Sequence, residues 1–341
     1  MRVLIEMHEL PLDHPVLIEG DDIDEIERQF RGWTVEVIHL GRGAMHGNGL
    51  VVPLGPLRVS VVHFGVAAVL RGTSPKGYCS LISTPFASPP VRVGSRRIDG
   101  GSCLVLGSQA PVEIYLPENC SAFILSLVAA PLTQRGTSHA NDHVPVRARV
   151  EFRTLTADDD ALLSRCMNLV ESVRSADPPD LVASQIQHRL HELLLPAAAS
   201  LITHSIPLAP ESGEKAIRRL AVSRACAHID AHLRKSITLK DLCDIAGVRA
   251  RTLEYGFREF YDVGPMAYLR SVRLSRVRHD LLNQKSAAGS IAKTAQRWRF
   301  THMGQFSRDY RILFGERPST TLARQRLVAP RPGGVSAVQE E

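Results

Sequence analysis

The sequence lacks a Cys-x-x-Cys pair, and its six cysteines are scattered along 341 residues. Such spacing argues against a disulfide framework and is what a reducing compartment permits. A long apolar run is missing too. The longest, residues 122–132, falls short of the about 20 residues that a membrane-spanning helix needs, and Ser126 interrupts it. The N-terminus has no apolar core of the signal-peptide type. We therefore expect a cytoplasmic protein that does not contact membranes.

Acidic residues are scarce in the last third of the chain. Residues 214–328 hold 23 Lys and Arg but only 10 Asp and Glu, whereas residues 1–213 hold 17 basic and 23 acidic residues. DNA affinity comes largely from Lys and Arg side chains that neutralise phosphates, so this asymmetry indicates a polyanionic partner for the C-terminal region. A short basic run is more often a solvated surface, but this one coincides with a helical repeat.

The first part of the chain has the texture of a β protein. Nine short apolar runs between residues 33 and 130 are separated by Gly and Pro, and several alternate apolar and polar residues. This pattern is typical of an antiparallel barrel or sandwich. The runs are WTVEVIHLG, LVVPLG, LRVSVVHFG, AAVLRG, YCSLIST, VRVGSRRI, SCLVLGS, VEIYLP and SAFILSLV.

Helical periodicity follows in residues 159–175 and 181–195, with the breaker DPPD between them. We expect two antiparallel helices. Their apolar stripes fit either a dimer contact or packing on their own β domain, and the sequence leaves both open. IPLAPESG, residues 206–213, has the composition of an interdomain linker. Residues 327–341 are rich in Pro and Gly and are predicted to be disordered.

A two-helix device occurs twice between residues 238 and 318. In the first copy, about residues 238–260, Thr238 stands at a cap position and Gly247 breaks the first helix. In the second, about residues 290–312, Ser290 and Thr301 stand at cap positions. Two short helices joined by a tight turn form the helix-turn-helix unit, whose second helix enters a major groove.

The segment between the two copies predicts one continuous helix from residue 265 to about 283. Its length is about 28 Å at 1.5 Å per residue. This is close to the roughly 34 Å repeat of the major groove on one face of DNA. The spacing therefore favours two groove-reading helices in one chain.

The words GPMAYLRSVRL and QFSRDYRILFGERPS resemble the AraC/XylS family of bacterial transcription regulators, over roughly the last third of the chain. The resemblance implies two recognition helices per protomer in successive major grooves. It also implies a cupin-like N-terminal barrel that binds an effector or dimerises, a homodimer, contact with RNA polymerase, and activation rather than repression. Trp298, His302, Gly304 and Phe306 are similar to a subset that includes ethanolamine-utilisation regulators.

These observations predict a multidomain chain, β first and then all-α. A cupin-like antiparallel β barrel (residues 1–155) precedes a helical connector (156–205), the linker (206–213), a double helix-turn-helix domain (214–326) and the tail (327–341). A cupin-type metalloenzyme is an alternative, but it would need an His-x-His pair with a following Glu. His39, His46 and His63 are isolated instead, so no metal or cofactor is expected. A non-specific architectural DNA binder is the second alternative.

The residues that read DNA should be those on each second helix that the core does not use. Arg and Gln can bind guanine and adenine edges through paired hydrogen bonds, which makes Arg251, Gln305 and Arg308 the best candidates. The full base-reading set is Arg249, Arg251, Thr252, Glu254, Tyr255, His302, Met303, Gln305 and Arg308. Phosphate contacts or solvent are expected for Arg273, Lys293, Arg297, Arg299, Thr301 and Ser307.

Two positions depart from the pattern of the family. Arg299 stands where Gly usually precedes the aromatic residue of the second turn. If this position needs a positive φ, the arginine costs about 1 kcal/mol. Arg249 opens the first recognition helix where Ser or Thr is common, so a weaker cap is expected there.

Overall fold

The structure is a computed structural model of the chain. It describes residues 16–20, 32–84, 88–94, 96–129, 150–174, 179–203, 206–207, 213–283 and 291–328. The tail after residue 328, most of the linker, and Ser290 lie outside these ranges. The domain bounds given above therefore stay predictions. In the described part twelve strands come first, followed by two helices, a short strand and seven further helices.

Each of the nine apolar runs contains a strand, and VRVGSRRI contains two. This part of the prediction is confirmed. Three strands that the sequence did not indicate complete the set. The strands are β1 (Val16–Gly20), β2 (Thr34–His39), β3 (Gly47–Leu54), β4 (Leu57–Phe64), β5 (Ala68–Thr73), β6 (Tyr78–Ser83), β7 (Val91–Val93), β8 (Arg96–Ile98), β9 (Ser102–Leu106), β10 (Pro111–Leu116), β11 (Cys120–Val128), β12 (Val150–Thr154) and β13 (Ile206–Pro207).

The strands form two antiparallel sheets. The larger has the order β1-β3-β4-β11-β6-β9-β12-β13 and the smaller the order β2-β5-β10-β7-β8. The expected β architecture is confirmed, but closure into a cupin-like barrel is wrong for the described strands. The chain changes sheets after β10: that strand pairs with β5 and β7, whereas β11 pairs with β4 and β6. The two sheets instead pack face to face as a sandwich.

The nine helices follow the order of the prediction, with one addition at the end. They are α1 (Ala157–Arg174), α2 (Pro179–Thr203), α3 (Gly213–His232), α4 (Leu239–Ala246), α5 (Ala250–Tyr261), α6 (Pro265–Leu282), α7 (Ile291–Arg297), α8 (Met303–Phe314) and α9 (Pro318–Val328). The continuous helix expected from residue 265 is α6, and Pro265 occupies its first turn. None of the described helices combines the length and apolar character needed to cross a membrane.

The apolar stripes of α1 and α2 are buried against the larger sheet. Cys166 and Val170 of α1 and Leu190 and Leu194 of α2 share one core with that sheet. Of the two interpretations left open by the sequence, packing on the chain's own β domain is the one that the structure shows. A dimer contact by these helices stays untested.

The smaller sheet lies between the larger sheet and the helices of the C-terminal domain. Its inner face contributes Leu70 and Ile114 to the core of the sandwich. Its outer face contributes Ile38, Val69 and Tyr115 to the core of the helical domain. The described chain therefore stacks in four layers, which are α1 and α2, the larger sheet, the smaller sheet, and the helices from α3 onward.

Two local expectations in the helical domain are wrong. The periodicity from residue 214 onward predicts a helix with Ile217 and Leu220 on its apolar side, but in α3 these two residues are 56% and 51% exposed. The buried side of α3 uses smaller residues because α5 approaches closely: a Cβ on Gly256 would lie 2.8 Å from Val222 Cγ2. The spacing of Leu242, Ile245 and Ala246 likewise predicts one apolar side for α4, but Ile245 is 47% exposed.

Candidate DNA interface

The first helix-turn-helix unit consists of α4 and α5. Thr238 caps α4 as expected: its hydroxyl accepts from the Asp241 backbone N–H at 3.2 Å, and the Asp241 carboxylate accepts from the Thr238 N–H at 2.8 Å. Gly247 ends α4 with a φ of 70°, a left-handed conformation that glycine adopts without penalty. The cap and the glycine together fix the tight turn into α5.

The two sides of α5 differ sharply. Leu253, Phe257 and Phe260 are buried in the core. The predicted base-reading residues lie elsewhere on the helix: Arg249, Arg251 and Tyr255 are exposed, and Thr252 and Glu254 are half-buried. The core therefore leaves the first two turns of α5 available to a groove.

Arg251 and Tyr255 form a pair on the exposed side of α5. Arg251 Nη2 donates to Tyr255 Oη at 3.0 Å, and the guanidinium carbon lies 5.4 Å from the centroid of the tyrosine ring. A ring face attracts a cation, and the contact restricts the rotamers of the long side chain. Arg251 is therefore partly ordered before it meets any partner.

The second unit consists of α7 and α8. Trp298 closes the turn between them, with its indole N–H donating to Asp280 Oδ2 at 2.9 Å. On α8, Phe306, Tyr310 and Phe314 are buried. The predicted reading residues His302, Gln305 and Arg308 are exposed, and so is the phosphate candidate Ser307.

The N-cap of α8 and the burial of Met303 differ from the sequence prediction. Its N-cap is His302, without a side-chain cap hydrogen bond, so the expectation that Thr301 caps the helix is wrong. Met303 is half-buried and packs against the core of the domain.

Gln305 Nε2 donates to Asp309 Oδ1 at 2.6 Å, which holds the amide on the surface of α8.

The spacing of the two units is set by α6. This helix has 18 residues, and at 1.5 Å per residue it is about 27 Å long. It packs against α5 on one side and against α7 and α9 on the other. One rigid element thus separates two exposed, basic helix faces by roughly the repeat of a major groove.

Comparison with known proteins agrees with this geometry. Residues 242–324 match a family model described as a helix-turn-helix domain. A probable thc operon regulatory protein of Rhodococcus erythropolis is 29% identical over 168 residues, 46% of this chain and 48% of that protein. The XylDLEGF operon transcriptional activator 2 of Pseudomonas putida is 34% identical over 104 residues, 30% of this chain and 66% of that protein. The matched region thus spans about half to two thirds of these relatives.

A solved structure, of a probable AraC family transcriptional regulator from Rhodopseudomonas palustris, is 32% identical. The match covers 31% of this chain and 96% of that one, with a TM-score of 0.29. The chain belongs to the AraC/XylS family. The relatives named here are regulatory proteins. Membership of the finer ethanolamine-utilisation subset stays a prediction.

The phosphate candidates of this AraC/XylS-family chain fall into two groups. Lys293, Arg299, Thr301 and Ser307 are exposed, as phosphate contacts require. Arg273 instead donates to the carbonyls of Leu233 and Lys235, at 3.0 and 2.7 Å. It thereby satisfies backbone acceptors that directly follow the C-terminal end of α3. Burial, and secondly Arg299, lower its pKa.

Arg297 is partly committed within the domain as well. Its Nη1 donates to Asp280 Oδ2 at 3.1 Å, the same oxygen that accepts from Trp298. The pair is exposed on the arginine side, so it is worth little in water and can be exchanged for a phosphate. The roles of all the predicted DNA residues stay predictions, because exposure alone does not separate base, phosphate and solvent contacts.

Both expected departures from the family pattern are present. Arg299 adopts a φ of 72°, in the left-handed region. Its own N–H donates to Gln296 O at 3.0 Å, and the Phe300 N–H donates to Ala295 O at 3.0 Å, so the turn keeps its hydrogen bonds despite the arginine. Arg249 is the N-cap of α5 and makes no side-chain cap hydrogen bond.

A basic groove beside α8 was missed from the sequence. Arg308, Arg311 and Arg317 line it, together with the hydroxyls of Ser307 and Ser319. None of the residues that line the groove is acidic. Arg317 was overlooked because it follows the end of α8, and only the start of α9 at Pro318 brings it next to Arg308.

The described residues contain no group of three or more His, Cys, Asp or Glu side chains that could hold a metal ion. His39 is buried, and His63 contacts the hydroxyl of Ser121 at 3.1 Å. His139 and His143, a pair in the polar stretch before β12, lie outside the described residues.

Proposed function

We propose that this protein is a sequence-specific DNA-binding transcription regulator and not an enzyme. In this proposal α5 and α8 enter two adjacent major-groove segments on one face of DNA. Arg251, Gln305 and Arg308 contact bases, and the exposed cations around α7 and α8 contact phosphates.

One observation carries the proposal: two exposed recognition helices stand at the ends of one 18-residue helix in a strongly basic domain. A single helix-turn-helix unit is common in helical domains. Two units separated by one groove repeat are not required for folding, but they are required for reading two groove segments from the same side.

The finer parts of the proposal come from the relatives. The Pseudomonas protein is named as a transcriptional activator, so we infer activation and contact with RNA polymerase for this chain. We also infer a cytoplasmic homodimer and a small-molecule effector for the N-terminal sheets. Apolar residues alone line the cavity between those sheets, among them Leu70, Val112 and Ile114, and its volume of about 20 Å³ means that the strands must move before any effector enters.

The test is recovery of bound fragments from sheared genomic DNA by the purified full chain at physiological salt, followed by sequencing. We expect discrete fragments sharing a motif in two parts, about one helical turn apart. Uniform recovery that disappears as salt rises would instead indicate an architectural DNA binder.

A single substitution then tests whether Arg251 contacts a base or a phosphate. Arg251→Ala should weaken binding by about 1 to 3 kcal/mol and relax the preference at one base position. Arg165→Ala, at an exposed arginine of α1, is the matched control and should leave binding unchanged. Equal weakening on all sequences would assign Arg251 to a phosphate.

A further inference from the structure

The outer face of the smaller sheet is covered by the DNA-binding domain. Successive side chains of a strand point to opposite faces, so Leu70 and Ile114 point into the sandwich while Arg71, Glu113 and Tyr115 point outward. In an isolated antiparallel sheet these polar residues would face water. Here they contact α3, α5 and α6 instead, and the contacts converge on the first helix-turn-helix unit.

Arg71 is the centre of one group of contacts. Its side chain donates to Glu113 at 2.7 Å on the neighbouring strand and to Asp230 of α3 at 2.6 Å, and it also bonds the hydroxyl of Tyr268 on α6. Glu113 accepts from the hydroxyl of Tyr261, the last residue of α5. Three helices of the domain are thus joined to one ion pair of the sheet.

Arg92 and Tyr115 hold the end of α5. Arg92 Nη1 donates to the carbonyl of Glu259 at 2.8 Å, and its other Nη bonds Asp262, which caps the helix. The hydroxyl of Tyr115 donates to the same carboxylate at 2.7 Å. Arg92 also lies 4.3 Å from the centroid of the Tyr115 ring, so the two side chains act as one unit.

The second recognition helix is held at the same end. The backbone N–H of Gly43 donates to the carbonyl of Ile312 at 3.0 Å. Phe314 packs edge-on against His39, with ring centroids 5.3 Å apart. Gly315, with a φ of 72°, lies so close to the loop after β2 that a Cβ on it would be 2.7 Å from Ala44 N.

The contacts thus fall on the last residues of both recognition helices and leave the first turns exposed. Two links therefore connect the units, α6 within the domain and the smaller sheet outside it. The Arg276–Glu36 pair, at 2.8 Å, adds a contact between α6 itself and β2. With both links in place, neither unit can turn about an end of α6 without breaking contacts to the sheet.

We propose that Arg92, Tyr115 and the Gly43–Ala44 segment are positioning residues: through them the N-terminal sheet sets the separation and angle of the two recognition helices. This rests on the proposed function. The spacing of the two DNA segments that the protein accepts is then a property of the whole chain and not of the C-terminal domain alone.

The experiment compares the full chain on two duplexes. One carries a recovered site, and the other carries the same site with one base pair added between its two parts. The addition shifts the second part by about 3.4 Å along the axis and about 35° around it. We expect the wild-type protein to bind the longer duplex about tenfold more weakly, or about 1.4 kcal/mol.

Two variants release one contact each, with matched controls. Arg92→Met/Tyr115→Phe frees the end of α5, and Arg58→Met/Tyr78→Phe makes the same substitutions at an arginine–tyrosine pair of the larger sheet, where the guanidinium carbon lies 5.4 Å from the ring centroid. Gly315→Ala forces α8 away from Ala44. Gly55→Ala is its control, since Gly55, in the turn between β3 and β4, has a similar φ of 66° but open space around an added Cβ. The controls correct for lost stability, which weakens binding to both duplexes equally.

The ratio of the two dissociation constants is the readout. In both variants it should fall from about ten towards about two, a loss of roughly 1 kcal/mol of spacing preference, while both controls keep the wild-type ratio. An unchanged ratio in either variant overturns the proposal. Tighter binding to the original site also overturns it, because the sheet would then hold the helices away from their DNA-bound geometry. Failure to recover any specific site would refute the proposed function itself.

Discussion

Lowering the pH should loosen the contact between β2 and the second helix-turn-helix unit, and His39 is the reason. Its side chain is 1% exposed, and its Nε2 has no hydrogen-bond partner. Burial lowers the pKa of His39 from 6.5 to about 3, with a smaller contribution from the charge of Arg278, which is itself paired with Glu316 at 2.5 Å. The folded protein therefore keeps this imidazole neutral across the physiological range.

Whether a lower pH stabilises or destabilises the fold depends on whether the folded or the unfolded chain binds the proton more readily. Between pH 6.5 and pH 3 the unfolded chain protonates His39 and the folded chain does not, so the free energy of unfolding falls as the pH falls. The loss is about 1.4 kcal/mol for each pH unit below 6.5. Between pH 7.5 and pH 5 His39 should therefore remove about 2 kcal/mol of stability.

The assay is urea unfolding of the full chain at pH 7.5 and pH 5, followed by tryptophan fluorescence. Trp33 and Trp298, the two tryptophans, report on the β domain and on the second unit. All other groups titrate equally in variants that replace only His39. His39→Phe and His39→Gln should each lose about 2 kcal/mol less than the wild-type protein over this range. Equal losses in all three proteins would refute the reasoning.

Three further predictions concern arginines of the DNA-binding domain. Arg299→Gly should raise the free energy of unfolding by up to about 1 kcal/mol, because glycine relieves the left-handed strain, and a lower urea midpoint would contradict this. Arg317→Ala should reduce the slope of log affinity against log salt by about 1 if the groove beside α8 binds a phosphate, and an unchanged slope would exclude that contact. Arg273→Ala should cost about 1 to 2 kcal/mol of stability, since two carbonyls at the end of α3 lose their donor. Affinity for the recovered site, measured well below the unfolding temperature, should not change, and a loss there would show that Arg273 reaches DNA.

Local features of this fold were predictable because short stretches of sequence determine them. Apolar runs between Gly and Pro marked the strands, and the caps and breakers of α4 and α5 marked the first unit. The positive φ of Arg299 was an expectation from the resemblance to the family, in which Gly usually occupies this position of the turn. In each case the physical cause lies within a few residues of the feature.

Features that depend on distant contacts were not predictable in the same way. The alternation of Val112, Ile114 and Leu116 with Glu113 and Tyr115 places Glu113 outside the core of the sandwich, but it does not show which residues cover Glu113. The exposure of Ile217 and Leu220 depends on the close approach of α5 at Gly256, which no pattern within α3 contains. The split into two sheets depends in the same way on which strands β10 and β11 meet.

The outer face of the smaller sheet packs against the DNA-binding domain, and this has a consequence for regulation. Leu70 and Val112 line the cavity between the sheets, while the residues that follow them, Arg71 and Glu113, bond Asp230 of α3 and Tyr261 of α5. An effector bound between the sheets would therefore touch the same strands that position the recognition helices. Interiors are closely packed, so a strand that moves to admit a ligand moves both of its faces. Such an effector would reach α5 directly through the sheet, and the linker between the domains would not have to carry the signal.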